Sequence, residues 1–282
     1  MAPVRLTIVS DSHLSTRTPE AAANWDLLVD HVDRTQPDAV VHTGDIALDG
    51  TQGTEDLTYA RQQLDKMGVT MLALPGNHDL GDNPCETNAT SEQLITSERL
   101  AAYREQIGDD RWVSDIGGWR LVGLNAQLLG SGLDEEVEQW DWLEQQLTAE
   151  RFGGRHPAMF LHKPLLHSSP HPPEHDEPIR YVRQRSRERL LDMFEAIGAR
   201  VVVSGHVHQH RHIRLRGMEH VWSPTSWATL PESSQATIGD RWVGGLELRL
   251  GDDASVAVDQ VRPSGIGQHV IGETIPNPYS AH

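Results

Sequence analysis

Five short apolar runs, four of them carrying β-branched residues, constrain the fold most: Val4–Ser10, Ala39–His42, Val69–Leu74, Ala158–Leu161 and Arg200–Ser204. Their length and composition suit strands buried on both faces. Between and after them lie amphipathic stretches at Pro19–Gln36, Thr54–Met67, Glu136–Ala149 and Arg187–Ile197 that predict helices. Apolar strands alternating with such helices predict an α/β protein built on a parallel sheet with helices on both faces. Ser91–Gln106 also reads as a helix. Trp112–Ile116 and Trp119–Asn125 flank Gly117-Gly118, a hairpin signal. Beyond Ser204 the helical period disappears. His210–Leu215, Glu219–Trp222, Val243–Leu250 and Ser255–Val261 read as strands of an antiparallel C-terminal layer. No dividing linker interrupts 1–262, which is expected to be one domain. The polar, Gly- and Pro-rich tail 263–282 is expected to be disordered or docked on a neighbour.

What ends the five strands matters as much as the strands themselves. The first runs into Asp11-Ser12-His13 and the second into Gly44-Asp45. The third runs into Gly76-Asn77-His78-Asp79, the fourth into His162, and the fifth into Gly205-His206-Val207-His208. In a parallel sheet, ligand sites lie outside the carboxyl ends of the strands. Side chains spread over almost two hundred positions are therefore expected to meet at one edge. In extended chain, residues two apart point the same way, so Asp-x-His and His-x-His can each aim both side chains at one centre. Asp11, His13, Asp45, Asn77, His162, His206 and His208 make seven candidate ligands. That is too many for one catalytic ion with open positions, but it suits two ions with Asp45 as the shared carboxylate. Oxygen and nitrogen donors without thiolate fit Mn, Fe or Zn better than Ca or Cu(I).

In that order and placement, the ladder D-x-H, G-D, G-N-H-D, lone His, G-H-x-H resembles the calcineurin-like metallophosphoesterase superfamily. In size the chain is most similar to the bacterial branch of class III cyclic-nucleotide phosphodiesterases and glycerophosphodiesterases. The resemblance implies a four-layer α/β/β/α sandwich with a dinuclear centre of two divalent or mixed-valence ions. It implies that Asp11, His13, Asp45 and His208 hold one ion, and that Asp45, Asn77, His162 and His206 hold the other. It further implies that Asn77 and His78 contact the phosphate and that His78 protonates the leaving oxygen. The implied activity is hydrolysis of small phosphodiesters by hydroxide attack on phosphorus. The alternatives are a phosphomonoesterase with the same site and a non-catalytic protein-binding scaffold. That branch often shows His-His-Pro-Pro where this chain has His162-Lys163-Pro164-Leu165, and often carries Asp where this chain has Asn125.

Charge narrows the partners. With 24 Lys+Arg against 41 Asp+Glu, the formal charge is −17. Nucleic-acid affinity comes mostly from neutralising phosphates with basic side chains, so no polymeric nucleic acid is expected. Two carboxylates beside two dications still leave the pocket about +2, which favours a small anionic ester. No run approaches the ~18 apolar residues of a membrane span. The strand-like run from Val4 leaves no room for a signal peptide, so a cytoplasmic protein is expected. The lone Cys85 makes neither an internal disulfide nor a thiolate zinc site. The stretch 163–186 carries His167, His171 and His175 among five prolines and is expected to be an irregular loop. It reads as either a solvated loop or a substrate lid in which His167, His171 or Tyr181 touches the leaving group. Trp222 and Trp227 follow the G-H-x-H segment as candidate pocket residues. Trp140 and Trp142 read as core and helix surface. Homo-oligomerisation is left open, with the tail as one means.

Overall fold

A computed structural model of the chain describes residues 3–84, 93–165 and 180–279. Strand β1 (Val4–Val9) shows how its layers arise. Alternate side chains leave a strand on opposite faces. Leu6 and Ile8 pack into one apolar cluster and Val9 into another. In β2 (Ala39–His42), Ala39 and Val41 join the first cluster while Val40 joins the second. β3 (Met71–Ala73) follows the same rule, with Leu72 on the first side and Met71 and Ala73 on the other.

The second half repeats this logic. β4 (Trp112–Ile116) and β5 (Trp119–Gly123) form the expected hairpin through Gly117, whose φ is +53°. In β6 (His156–Phe160) and β7 (Val201–Ser204), Ala158, Phe160, Val201 and Val203 meet Leu6, Ile8 and Val41 from the first half. Two sheets thus lie face to face around a shared apolar layer.

Helices close both outer faces. α1 (Pro19–Thr35), α2 (Glu55–Leu64) and α4 (Ser97–Gln106) follow in chain order, with the single-turn α3 (Asn77–Leu80) before α4. Trp25, Leu28 and Val32 of α1, with Leu57 and Ala60 of α2 and Leu100 and Tyr103 of α4, cover Val9 and Val40. Pro19 starts α1 at the position where its missing N–H costs nothing. α5 (Asp134–Gln146), α6 (Ala149–Phe152) and α7 (Gln184–Ala196) cover the other sheet, where Trp140, Leu143, Leu190 and Phe194 pack on Val122, Met159 and Val202. Acidic Asp134, Glu135 and Glu136 in the first turn of α5 complement its positive end. Fully burying each large apolar side chain contributes about 1.5–3 kcal/mol, so both helix layers are strongly held. The architecture is α/β/β/α, as the resemblance implied.

The C-terminal strands depart from expectation. β8 (Arg211–Leu215), β9 (Met218–Trp222), β11 (Gly245–Leu250) and β12 (Val256–Val261) join the two large sheets rather than a layer of their own, while β10 (Ala228–Thr229) and β13 (His269–Val270) form a separate two-stranded parallel ribbon. The first sheet runs β12-β11-β1-β2-β3, with β1, β2 and β3 parallel and β11 antiparallel to β1, Leu6 facing Leu248. The second runs β4-β5-β6-β7-β9-β8, and β9 is parallel to β7. Local patterning identified strands but not partners, because pairing depends on contacts distant in sequence.

Helix limits shift by a few residues, as at Gln184, which begins α7 inside the stretch 163–186 expected to be irregular. Of that stretch, 166–179 lie outside the described residues, and with them His167, His171 and His175; Cys85 does too. The tail through 279 is ordered and packs on the chain's own body. β13 pairs with β10, and Ile271 and Ile275 pack with Ala21, Leu48 and Trp227. Among the described residues, no helix is long and apolar enough to cross a membrane.

Candidate metal centre

The loops after β1 and β2 run side by side. Asp11 N–H donates to Gly44 O at 2.9 Å and His13 N–H to Asp45 O at 3.1 Å. Asp11, His13, Asp45, His206 and His208 all have positive φ, between 44° and 69°. Such backbone costs of order 1–3 kcal/mol per residue and clusters at functional sites. The two-residue spacing of Asp11/His13 and His206/His208 therefore works through left-handed turns, not through the extended chain assumed from sequence. Gly44, at φ +103°, leaves no room for a side chain: a Cβ there would stand 2.5 Å from His162 Nδ1. A Cβ on Gly76 would overlap the Asp45 carboxylate.

Backbone carbonyls fix most of the imidazoles. His162 Nδ1 faces Thr43 O at 2.8 Å, His208 Nδ1 faces Ala228 O at 2.6 Å, and His78 Nδ1 faces Leu48 O at 3.1 Å. A carbonyl only accepts, so each Nδ1 carries the proton and each Nε2 is left as an acceptor. These acceptors converge. His208 Nε2 lies 3.2 Å from His13 Nε2 and 3.4 Å from Asp11 Oδ1. His162 Nε2 lies 3.1 Å from His206 Nδ1, and 3.3 Å from both Asn77 Oδ1 and Asp45 Oδ2. Asp45 Oδ2 is also 3.8 Å from His13 Nε2, while its Oδ1 accepts from His78 N–H at 2.8 Å.

Among the described residues, three sets of donors close enough to share an ion result: Asp11, His13 and His208; Asp45, His162 and His206; and His13, Asp45 and His78. Asn77 joins the second set through its amide oxygen. Lone pairs facing one another at these distances repel unless a cation or proton lies among them. The donor set therefore fits two cations sharing Asp45, and its lack of thiolate fits Mn, Fe or Zn.

Electrostatics agree. Burial would raise the Asp45 carboxyl, but His162, His78 and His13 outweigh it and hold it well below the usual carboxylate range. Burial would lower His162, but the Asp45 and Asp11 carboxylates push it up to about 9. Burial, reinforced by Asp45, raises Asp11 despite His208 and His162. Burial and then His78 drive His13 well below its ordinary value. The metal-free pocket thus keeps a proton on His162, which an ion would displace.

The model of the calcineurin-like phosphoesterase family matches residues 4–210. The chain belongs to that family. This calcineurin-like phosphoesterase is 29% identical over 184 residues to the serine/threonine-protein phosphatase CPPED1 of Rattus norvegicus, covering 62% of this chain and 54% of that one. It spans about half the length of the curated relatives of that kind. It is 27% identical over 220 residues to a probable glycerophosphodiester phosphodiesterase, GpdQ, of Arcobacter nitrofigilis, covering 71% and 70%. To a probable cyclic nucleotide phosphodiesterase of a Synechococcus strain it is 27% identical over 291 residues, covering 94% and 98%. The fold is shared with a dimetal phosphatase from Danio rerio, at a TM-score of 0.62 and 16% identity, covering 92% and 96%.

Other residues complete the phosphoesterase site. A cavity of about 210 Å³ opens over the cluster, lined also by Asp82, Arg180, Leu230, Ile271 and Tyr279. Trp227 stands behind His13, ring centroids 5.1 Å apart, with only 1% of its surface exposed. Trp222 is buried with Tyr181 and Val207, and Trp140 is core. Asn125 lies away from the cluster, bonding Asp110 and capping the 3-10 turn Ala126–Leu128. Lys163 is buried and pairs with Asp82, tying the loop after β3 to the loop after β6. Asp79 accepts from the N–H groups of Gly76, Ile46 and Ala47 and so clamps the turn that carries Asp45. Burial and Asp45 push its carboxyl up to about 7. The G-N-H-D motif contained Asp79 without revealing its role; Asp82 and Tyr279 gave no sequence signal.

Proposed function

We propose that this phosphoesterase hydrolyses small phosphodiesters, of the cyclic-nucleotide or glycerophosphodiester kind, at a centre of two Mn, Fe or Zn ions. One observation carries the reading: Asp45 Oδ2 stands between His13 Nε2 and His162 Nε2, so one carboxylate serves two sets of donors. Asp11, His13, Asp45 and His208 would hold one ion; Asp45, Asn77, His162 and His206 would hold the other. When bound, the two ions would supply Lewis-acid stabilisation of an in-line displacement and a hydroxide nucleophile near neutral pH. The chain's own side chains supply the rest. Asn77 orients the phosphate through its amide. His78 holds its Nδ1 proton against Leu48 O and presents Nε2 to the cavity, from which it, when protonated, delivers a proton to the leaving alkoxide. Similarity to the two phosphodiesterases, over 70% and 98% of their lengths, supports diesters. Similarity to CPPED1 supports a second reading, a phosphomonoesterase with the same site.

The test is a rate panel on metal-reconstituted protein, using an aryl diester, an aryl monoester, cyclic AMP and a glycerophosphodiester. Faster turnover of diesters than of the monoester is expected. Preference for the monoester would select the second reading. No turnover of any, with two ions bound per chain, would sink both.

A further inference from the structure

Three of the histidines at the centre are oriented by backbone carbonyls. His13 is oriented differently. Its Nε2 faces the cluster, and its Nδ1 lies 2.9 Å from the hydroxyl of Tyr279, 266 residues away in sequence. The Tyr279 ring also stands 4.9 Å from that of His78 and 6.5 Å from Trp227, at the wall of the cavity.

The contact is built by well-anchored chain. Asn24 bonds Gly267 in both directions, its Nδ2 donating to Gly267 O at 3.1 Å and its Oδ1 accepting from Gly267 N–H at 2.7 Å. Gln268 does the same with Val243, at 2.9 Å each way. β13 then pairs with β10, the segment whose Ala228 O orients His208. Ile271 and Ile275 bury their side chains, and Asn277 Oδ1 accepts from Tyr279 N–H at 3.0 Å. Tyr279 is itself 44% exposed, with its hydroxyl turned inward.

We propose that Tyr279 is a positioning residue for His13: its hydroxyl oxygen accepts a hydrogen bond from Nδ1–H and fixes the tautomer that leaves the Nε2 lone pair free to ligate beside Asp11, Asp45 and His208. A metal-ligating histidine almost always gives its other N–H to an acceptor, and losing that acceptor typically costs 10–100-fold in metal affinity. The proposal rests on the two-ion reading above. It adds to that reading a residue outside the ladder and beyond the stretch 4–210.

The experiment compares full-length protein with Tyr279→Phe, which keeps the ring and removes the hydroxyl. Metal-free protein is titrated with Co(II) alone, following the visible absorption of the bound ion, and the His13 ring nitrogens are read by ¹⁵N NMR. The variant is expected to bind one ion about tenfold more weakly and the other unchanged. Its metal-free His13 should show a mixture of tautomers and its metal-free melting temperature should match the parent's. Equal affinity for both ions would overturn the proposal, as would a loss of affinity explained wholly by a lower metal-free melting temperature. Failure of the parent protein to bind two ions would instead overturn the underlying reading.

Discussion

The two sheets make unequal contributions to the centre. Loops of the first sheet supply every oxygen donor: Asp11, Asp45 and Asn77, with His13 and His78 beside them. Loops of the second supply only imidazoles: His162, His206 and His208. In the two-ion reading, the first sheet would carry the negative charge that attracts cations, and the second would complete their coordination with imidazole nitrogens. The difference also shows in protonation. Without ions, the spare proton rests on His162 of the second sheet, held there by carboxylates of the first. Two of the three donor sets, Asp11 with His13 and His208 and Asp45 with His162 and His206, draw on both sheets, so the face-to-face packing builds the site.

Removing the shared carboxylate should break this division most completely. Asp45→Asn is expected to abolish turnover and to lower the ion content after dialysis from two per chain to none. His206→Asn, on the other sheet, should leave one ion bound. Elemental analysis compares them directly; equal losses would mean that the sheets are not unequal after all. His78→Asn comes next. It should keep both ions yet slow hydrolysis of an alkyl diester by about 10²–10⁴-fold, the usual worth of a general acid, with a smaller effect on an aryl diester whose leaving group needs no proton.

Acid should probe both halves. Burial lowers His42 of β2 to about 3 and His220 of β9 to about 4. Each is favoured neutral in the fold, whereas the unfolded chain takes up a proton near 6.5. Their contribution is thus complete above pH 6.5 and declines as pH falls toward the folded values. For His220 the decline amounts to about 3 kcal/mol. His220→Leu should flatten the loss of stability between pH 6.5 and about 4 by that order, as read from urea unfolding at stepped pH; an unchanged slope would exclude His220 as its source.

The smallest effect has the opposite sign. His206 sits at φ +69°, where Asn is better tolerated. The same His206→Asn that loses an ion is expected to make metal-free protein more stable, by about 0.5–1 kcal/mol. A drop in metal-free stability would show that the backbone there is not under strain.

Much of this was legible in the sequence because strand ends in a parallel arrangement carry the site, and each strand was marked by a local apolar run. The seven candidate ligands and His78 lie together at one edge, where that logic places them. What stayed hidden has no local signature. Val201–Ser204 does not announce that it pairs with Met218–Trp222, and Gly245–Leu250 does not announce β1. The Asp-x-His spacing gave the right partners for the wrong conformational reason, since left-handed φ values at Asp and His leave no trace in residue type. Lys163–Asp82 and Tyr279–His13 join residues 81 and 266 positions apart, where only the finished fold brings them together.

That last distance has a consequence for how the protein is made. Chains leave the ribosome from the amino end, so Asp11, His13 and Asp45 exist long before their partners. The β1 strand that carries Asp11 waits for residues 245–250 to occupy its second edge, and His13 waits for residue 279. A nascent chain that has passed position 208 holds every rung of the ladder, yet its central strand still has one bare edge and its first histidine is still free to choose a tautomer. If Tyr279 orients His13 as proposed, tight metal uptake at that histidine waits for elongation through Tyr279.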